Sequence, residues 1–402
     1  MYWLTRDSCG RPVLLAYLPH DEVWEGGMPG RWLERQSLDT FGRSAGGEAE
    51  PLSLPSAATV GELRDVAGGV GTQVVVLSLT RRAYFPPLWW RPLVAALGEG
   101  EEVVLALPMG PSFPPSQGLP VGYWTPSDLC EVGRAVSGER REVRGECSPW
   151  IGAFEVERLG HIDQGLPLSD VLKALAQKGI VMAAGGLVHY FADFYSSPRE
   201  DMFSLVPAPP KRVLDVGCAK GEFGRLLKER WGCEVWGIEL VEESARVARN
   251  VLDRVEVMDV EEGSPRWNGM FDLVVLGDIL EHLRDPWGFL GKVRSWVAAG
   301  GTVITSVPNT GFYPVVRALL QGRFDYVPVG LLCVEHLRFF TRETLREMFE
   351  EAGFAVVRME PQPAALPTPY LKELEELTRL IPSLDRDSLS APGYYIVATP
   401  RE

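Results

Sequence analysis

VLDVGCAKGEFG, residues 213–224, decides the fold of the second half of this chain. Val213, Leu214, Asp215 and Val216 read as a strand that enters a turn at Gly217, and a helix begins after Gly221. Gly217 and Gly221 leave room for a ligand to approach the backbone in that turn. Such turns serve dinucleotides and other adenosine-containing cofactors, so the glycines alone do not choose between them. Asp215, two residues before Gly217, discriminates. A carboxylate aimed into a pyrophosphate cradle repels its ligand, and the Gly-Lys-Ser/Thr ending of a Walker loop is missing. A ligand carrying an ammonium and a sulfonium is attracted instead. The plain alternative is a tight turn with a solvated or capping aspartate.

Outward from this turn the text alternates regularly. CEVWGIEL (233–240), RVEVMDV (254–260), FDLVVLGDIL (271–280), GTVITSVPN (301–309), AVVRME (355–360) and GYYIVATP (393–400) read as strands. EFGRLLKERWG (222–232), VEESARVARNVL (241–252), PWGFLGKVRSWVAAGG (286–301) and TRETLREMFEEAGF (341–354) read as helices. That alternation predicts an open, mostly parallel α/β sheet with helices on both faces. Open sheets of this kind bind ligands at the carboxyl ends of their strands. Glu239 ends the second strand, 22 residues after Gly217, where an acid can accept both hydroxyls of an adenosine ribose. Asp259 follows the third, placed to accept from an exocyclic amine, with Val260 able to cover a purine face. Gly277 and Asp278 end the fourth.

VLDVGCAKG, VWGIEL, MDV and LVVLGDILEHLRDP together resemble the four motifs of class I S-adenosylmethionine-dependent methyltransferases. The resemblance covers about residues 200–402 and implies a Rossmann-like seven-stranded sheet with S-adenosyl-L-methionine as cofactor. It implies a glycine-rich turn around the methionine half, here Asp215, Gly217, Cys218, Ala219 and Gly221. Glu239, with Leu240 beside it, would take the ribose, and Asp259 and Val260 the adenine. Gly277 and Asp278 would line the cofactor. Ala219 departs from the family, which usually has a middle glycine there. SVPNTGFY (306–313) and EHLRFFTRETLREMFEEAGF (335–354) resemble the small-molecule branch, which includes quinone-biosynthesis O-methyltransferases and many sugar and polyketide methyltransferases.

A hydroxyl or protonated amine acceptor must lose a proton, and His282, four residues after Asp278, is the best candidate base, with His336 as runner-up. Helix capping or packing is the competing role. Residues 309–340 separate the fifth strand from the next helix and carry Phe312, Tyr313, Phe324, Tyr326, Phe339 and Phe340 with Arg317, Arg323 and Arg338. They read as a cap over the acceptor pocket, or as an insertion whose aromatics fill only its own core. The arginines would suit an anionic acceptor. No metal site is expected.

Residues 66–190 read as a separate, smaller α/β domain. TQVVVLSL (72–79), LWWRPLVAALGEG (88–100) and EEVVLALPMG (101–110) form a strand-helix-strand unit expected to give a parallel pair. After a Gly- and Pro-rich loop at 109–122, LPLSDVLKALAQKG contains a helix with Leu168, Val171, Leu172 and Leu175 on one face, and IVMA a strand. This half resembles a GT-A type glycosyltransferase, with Asp163, Asp170 and His189 matching acceptor-side positions. Where that family binds metal through Asp-x-Asp, this chain reads Ser78-Leu79-Thr80 followed by Arg81 and Arg82, so an inactive remnant is expected. Residues 1–65 are poorly defined, because Gly26, Gly27, Gly30, Gly46, Gly47 and several prolines interrupt any long element. The joint to the second half, 191–402, falls at Pro207-Ala208-Pro209-Pro210, just before residue 211, with residues 190–205 as a lead-in helix.

Composition narrows the rest. At roughly 150 residues per domain, 402 residues make two or three domains. A net charge of -14 argues against a dedicated nucleic-acid binder. Six cysteines, scattered without a C-x-x-C pair, read as reduced thiols in a cytoplasmic protein, and no transmembrane segment or signal peptide is visible. The expected function is methyl transfer to a small molecule, with a sugar or lipid-linked glycan hydroxyl as one acceptor class. A bifunctional glycosyltransferase-methyltransferase, a non-catalytic scaffold in glycan assembly and an NAD-dependent oxidoreductase stand as alternatives. The last is disfavoured by Asp215 and the missing G-x-G-x-x-G.

Overall fold

The computed structural model describes residues 1–19, 28–45, 51–52, 57–80, 83–100, 102–109, 124–144, 150–190, 199–263, 265, 267–327 and 330–401. The chain divides into two compact units, Met1–Ala192 and Asp193–Glu402. No helix among the described residues is long and apolar enough to cross a membrane. No disulfide joins the described cysteines; Cys147 lies outside them.

The first unit contains β1 (Tyr2–Arg6), β2 (Pro12–Tyr17), β3 (Val74–Ser78), β4 (Ala83–Tyr84), β5 (Val103–Met109), β6 (Arg140–Glu142), β7 (Ile151–Glu155), β8 (Ile180–Leu187) and β9 (His189–Tyr190). Seven of them form a mixed sheet in the order β1-β2-β3-β7-β5-β8-β6, and β4 pairs with β9. The expected parallel pairing of the two strands around LWWRPLVAAL does not occur. β7 lies between β3 and β5, antiparallel to both. Gly152 permits this, because a Cβ there would come within 2.9 Å of Leu105.

The first 65 residues are more regular than their glycines imply. They supply the β1-β2 hairpin and a 16-residue helix, Met28–Arg43. Pro29 and Gly30 fall in its first turn, where backbone N–H groups have no intrahelical partner to lose. Phe41 from that helix packs its ring 5.0–6.0 Å from those of Trp3, Tyr17, Phe85 and Trp89. The helix Val171–Ala176 and strand β8 follow the expected pattern.

The second unit contains β10 (Arg212–Val216), β11 (Glu234–Glu239), β12 (Arg254–Val257), β13 (Phe271–Gly277), β14 (Val297–Pro308), β15 (Phe354–Pro361) and β16 (Gly393–Pro400). Their order is β12-β11-β10-β13-β14-β16-β15. The first five run parallel, and β16 inserts antiparallel between β14 and β15. The central strands are apolar on both faces because helices cover both, with Leu214, Val274, Leu276 and Val303 fully buried. The helix expected over 286–301 ends at Trp296, and Val297 already pairs with Phe271 in β14. The glycines that look like a helix cap serve this strand start. A Cβ on Gly301 would come within 2.9 Å of the Phe271 carbonyl.

Chain order reverses at β10, with β11 on one side and β13 on the other. The crevice at the carboxyl ends of those strands is the switch point where open α/β sheets receive ligands.

Candidate functional site

Four strand exits converge on that crevice. Asp215 sits in the central strand β10, paired across to Gly237 and Val275, and is 5% exposed. Among the described residues no donor reaches its carboxylate. Burial, and then the negative charge of Glu239, push its pKa up to about 7 against the pull of Arg199. A buried acid without a protein partner is costly to keep charged.

The turn after β10 is held tightly. Gly217 has φ 70°, and a Cβ there would collide with the Ile279 side chain. The N–H groups of Gly217 and Cys218 donate to Ile238 O at 2.8 and 3.0 Å. Cys218 is buried against Gly237, with its thiol pushed far above its usual pKa by burial. Ala219 has φ 47°, a left-handed conformation normally left to glycine, and its N–H donates to Glu239 Oε2 at 2.8 Å. Gly221, φ 83°, opens the helix Glu222–Trp231.

Glu239 therefore buckles the turn to the exit of β11. Its Oε1 accepts from Val241 N at 2.9 Å while Oε2 holds Ala219. Each oxygen keeps a second lone pair, so a diol can still be received. Leu240 next to it is 65% exposed. Asp259 accepts from Glu261 N through Oδ1 at 2.8 Å, and no described donor reaches Oδ2. Val260 packs at the margin of the core.

The Asp278 carboxylate is engaged on both of its oxygens. The residue has φ 52°, its Oδ2 accepts from Arg199 Nη1 at 2.6 Å, and its Oδ1 accepts from Ser306 Oγ at 2.7 Å. Arg199 also donates to Ser306 Oγ at 3.0 Å and to Asp201, whose carboxylate accepts from Tyr395 OH at 2.6 Å. Gly277 lies beside Arg199 and Met202. Sequence reading did not single out Arg199 or Ser306, because neither belongs to a strand-exit acid pattern. Of the lead-in helix expected at 190–205, Glu200–Phe203 is helical and 191–198 lie outside the described residues.

The two candidate bases meet. The rings of His282 and His336 lie edge to face, 4.8 Å between centroids. His336 Nδ1 donates to Leu331 O at 3.0 Å, and the His282 ring bonds the Glu335 backbone. Burial lowers both pKa values, that of His336 to about 4, which favours the neutral form of each ring. A third member was missed: Glu281 is 1% exposed, its pKa is raised by burial and by Asp278, and no described donor reaches its Oε2. One ligand atom from each of Glu281, His282 and His336 lies within 4.8 Å of the others, a set able to hold a metal ion. The sequence reading assigned no metal. The signal was the repeated Glu-His-Leu, at 281–283 and 335–337. The two copies are joined by Leu337 and Arg338 N–H donating to Glu281 O at 2.8 and 3.0 Å.

The aromatics of 309–340 divide. Phe312, Tyr313 and Phe340 are buried, whereas Phe324, Tyr326 and Phe339 are exposed, with ring centroids 5.4 and 5.5 Å from Phe324. The arginines are engaged internally: Arg317 with Glu373, Arg323 with Asp325, and Arg338 with the Arg284 carbonyl.

In the first unit, Ser78 and Thr80 are fully buried and Ser78 Oγ donates to Thr80 O at 3.2 Å. Arg81 and Arg82 lie outside the described residues. Asp163 turns back to Gly165 N at 3.0 Å, and Asp170 is 3.6 Å from Lys173. Burial lowers the His189 pKa to about 4.

Residues 187–359 match a family described as a methyltransferase domain. Ubiquinone biosynthesis O-methyltransferase of Aeromonas salmonicida is 30% identical over 154 residues, 36% of this chain and 63% of that protein. The protein of the same name from Bordetella avium is 33% identical over 151 residues, 36% of this chain and 61% of that one. The chain thus spans less than two thirds of these relatives. A solved S-adenosylmethionine-dependent methyltransferase from Archaeoglobus fulgidus is 22% identical, covering 47% of this chain and 85% of that one, with a TM-score of 0.34.

Proposed function

We propose that this protein, whose residues 187–359 match a methyltransferase-domain family, is an S-adenosylmethionine-dependent methyltransferase of class I that transfers a methyl group to a hydroxyl of a small-molecule acceptor. The observation that carries the reading is Asp215, a buried carboxylate without a described protein donor beside a turn whose glycines keep side chains away. When bound, S-adenosylmethionine supplies a methyl on a cationic sulfur, and in-line alignment does most of the rest. Asp215 and the turn Gly217–Gly221 take the methionine half, Glu239 the ribose, and Asp259 with Val260 the adenine.

The acceptor hydroxyl is placed at Glu281, His282 and His336. Neutral His282 takes its proton. A second reading has its own support. Both imidazoles have one nitrogen tied to a backbone carbonyl, which aims the other nitrogen, and Glu281 has an unmet oxygen. A divalent cation on these three would bind the acceptor oxygen and lower its pKa. The exposed rings of Phe324, Tyr326 and Phe339 offer an aromatic platform for the acceptor.

For the first unit we keep the resemblance to a GT-A glycosyltransferase as the source of one acceptor class, a sugar or lipid-linked glycan hydroxyl. Its own transfer chemistry is absent from the proposal, because buried Ser78 and Thr80 cannot hold a metal diphosphate. The test is transfer of labelled methyl from S-adenosylmethionine to catechol, phenol and saccharide hydroxyls. Label entering one class and disappearing in His282→Ala supports the reading, and no transfer to any hydroxyl rejects it.

A further inference from the structure

Lys292, in the helix Pro286–Trp296, belongs to no motif, yet its ammonium ends inside the loop that follows β12. Nζ donates to the carbonyl oxygens of Val260 at 3.2 Å, Glu261 at 2.8 Å and Gly263 at 3.2 Å. An ammonium has three donors, and here three backbone carbonyls converge on it. The loop is wound tightly about this point. Gly263 N donates to Asp259 O at 2.8 Å, Glu261 N to Asp259 Oδ1 at 2.8 Å, and Asp285 N to Glu261 Oε1 at 2.9 Å. A Cβ on Gly263 would run into Met258 and lie 3.1 Å from Asp259 O. Every one of these bonds acts on Asp259 or a residue within four of it, while Asp259 Oδ2 stays without a described donor.

We propose that Lys292 is a positioning residue for base recognition: by gathering the carbonyls of Val260, Glu261 and Gly263 it fixes Asp259 and makes the site select a purine with an exocyclic amine over one with a carbonyl. The inference rests on the placement of adenine at Asp259 above. An amine at that purine position donates to Asp259, whereas a carbonyl there faces a second acceptor and is repelled. That difference persists only while the carboxylate is held in place. Arginine cannot replace the ammonium fully, since its planar fork does not present three convergent N–H groups. Methionine can fill the path of the stem but offers the loop no donor.

The test titrates S-adenosylhomocysteine and its inosine counterpart into the full-length protein, Lys292→Met, Lys292→Arg and Asp259→Asn. The wild type should prefer the adenosine compound at least tenfold. Lys292→Met should lose about tenfold for that compound and under twofold for the inosine one, so the preference collapses. Lys292→Arg, which keeps stem and charge, should fall between, and it carries the test if the methionine variant does not fold. Asp259→Asn should abolish the preference directly. Wild-type preference retained in both Lys292 variants overturns the proposal while leaving adenine at Asp259. A wild-type protein that binds both compounds equally removes adenine from Asp259 and the proposal with it.

Discussion

Arg199 and Asp278 are both non-glycine residues with positive φ, 49° and 52°, and they face each other across a 2.6 Å ion pair. One opens the short helix Glu200–Phe203 and the other follows β13, 79 residues later. A left-handed conformation costs such residues roughly 1–2 kcal/mol each, so the contacts made by their side chains must offset it. Ser306 completes the link by bonding both, and Asp201 with Tyr395 holds Arg199 from the other side. The guanidinium also lowers the cost of keeping Asp215 and Glu281 charged nearby.

Replacing Arg199 with Met should therefore act on stability and binding together. Removing one partner of this mostly enclosed pair should cost about 2 kcal/mol and weaken S-adenosylhomocysteine binding. Lys should restore part of the stability. Thermal unfolding and calorimetry on the two variants check this, and an unchanged midpoint in Arg199→Met contradicts the bridging role.

Asp215 gives a pH dependence of definite sign. Folding raises its pKa from 3.8 to about 7, so between those values the native state holds a proton the unfolded chain has released. The stability tied to that proton is full below the unfolded value and is lost as pH rises through about 7. A cationic ligand favours the carboxylate and expels the proton. Affinity for S-adenosylmethionine should rise by up to about tenfold per pH unit below the folded pKa and level off above it. Asp215→Asn should flatten the profile, and the same rise persisting in that variant would assign it elsewhere.

Ala219 carries its methyl at φ 47°. Ala219→Gly should relieve about 1 kcal/mol and raise the unfolding midpoint of its unit by a few degrees. The Ala219 N–H bond to Glu239 should survive, leaving cofactor affinity at or above its present value. A lower midpoint would mean that the methyl makes packing contacts outweighing the strain.

The Glu281, His282 and His336 group separates a bound cation from an unaided base. If a cation sits there, a chelator should reduce methyl transfer at least tenfold, Mg²⁺ or Mn²⁺ should restore it, and Glu281→Gln should raise the metal concentration needed. Full activity in chelator leaves His282 acting alone.

What the sequence made legible follows its physics. The inner parallel strands β10, β11, β13 and β14 announce themselves because burial demands apolar runs, the edge strand β12 (RVEV) by its place in the alternation, and the acids at their exits stand out. Asp215, Glu239, Asp259 and Asp278 were found that way. Arg199, Ser306 and Lys292 were not, since each reaches the site from a distant element through a contact that no local pattern encodes. Glu281 was overlooked between Asp278 and His282 because an acid in a chain turning toward a helix looks solvated, and only the packed structure shows it buried. In the first unit, β7 separates two strands that local rules would pair. Strand order depends on which segment fills the gap, here the small Gly152 against Leu105 and Leu107.

The most direct test of the account is calorimetric titration of S-adenosylhomocysteine into the full-length protein, Asp215→Ala and Glu239→Ala. Micromolar binding by the wild type, weakened at least tenfold in Asp215→Ala with the fold intact, is the expected result. Glu239→Ala should also weaken it, and a ligand lacking the ribose hydroxyls should then lose less than it does with the wild type. No binding by the wild type, or equal affinity in folded Asp215→Ala, would contradict the central claim.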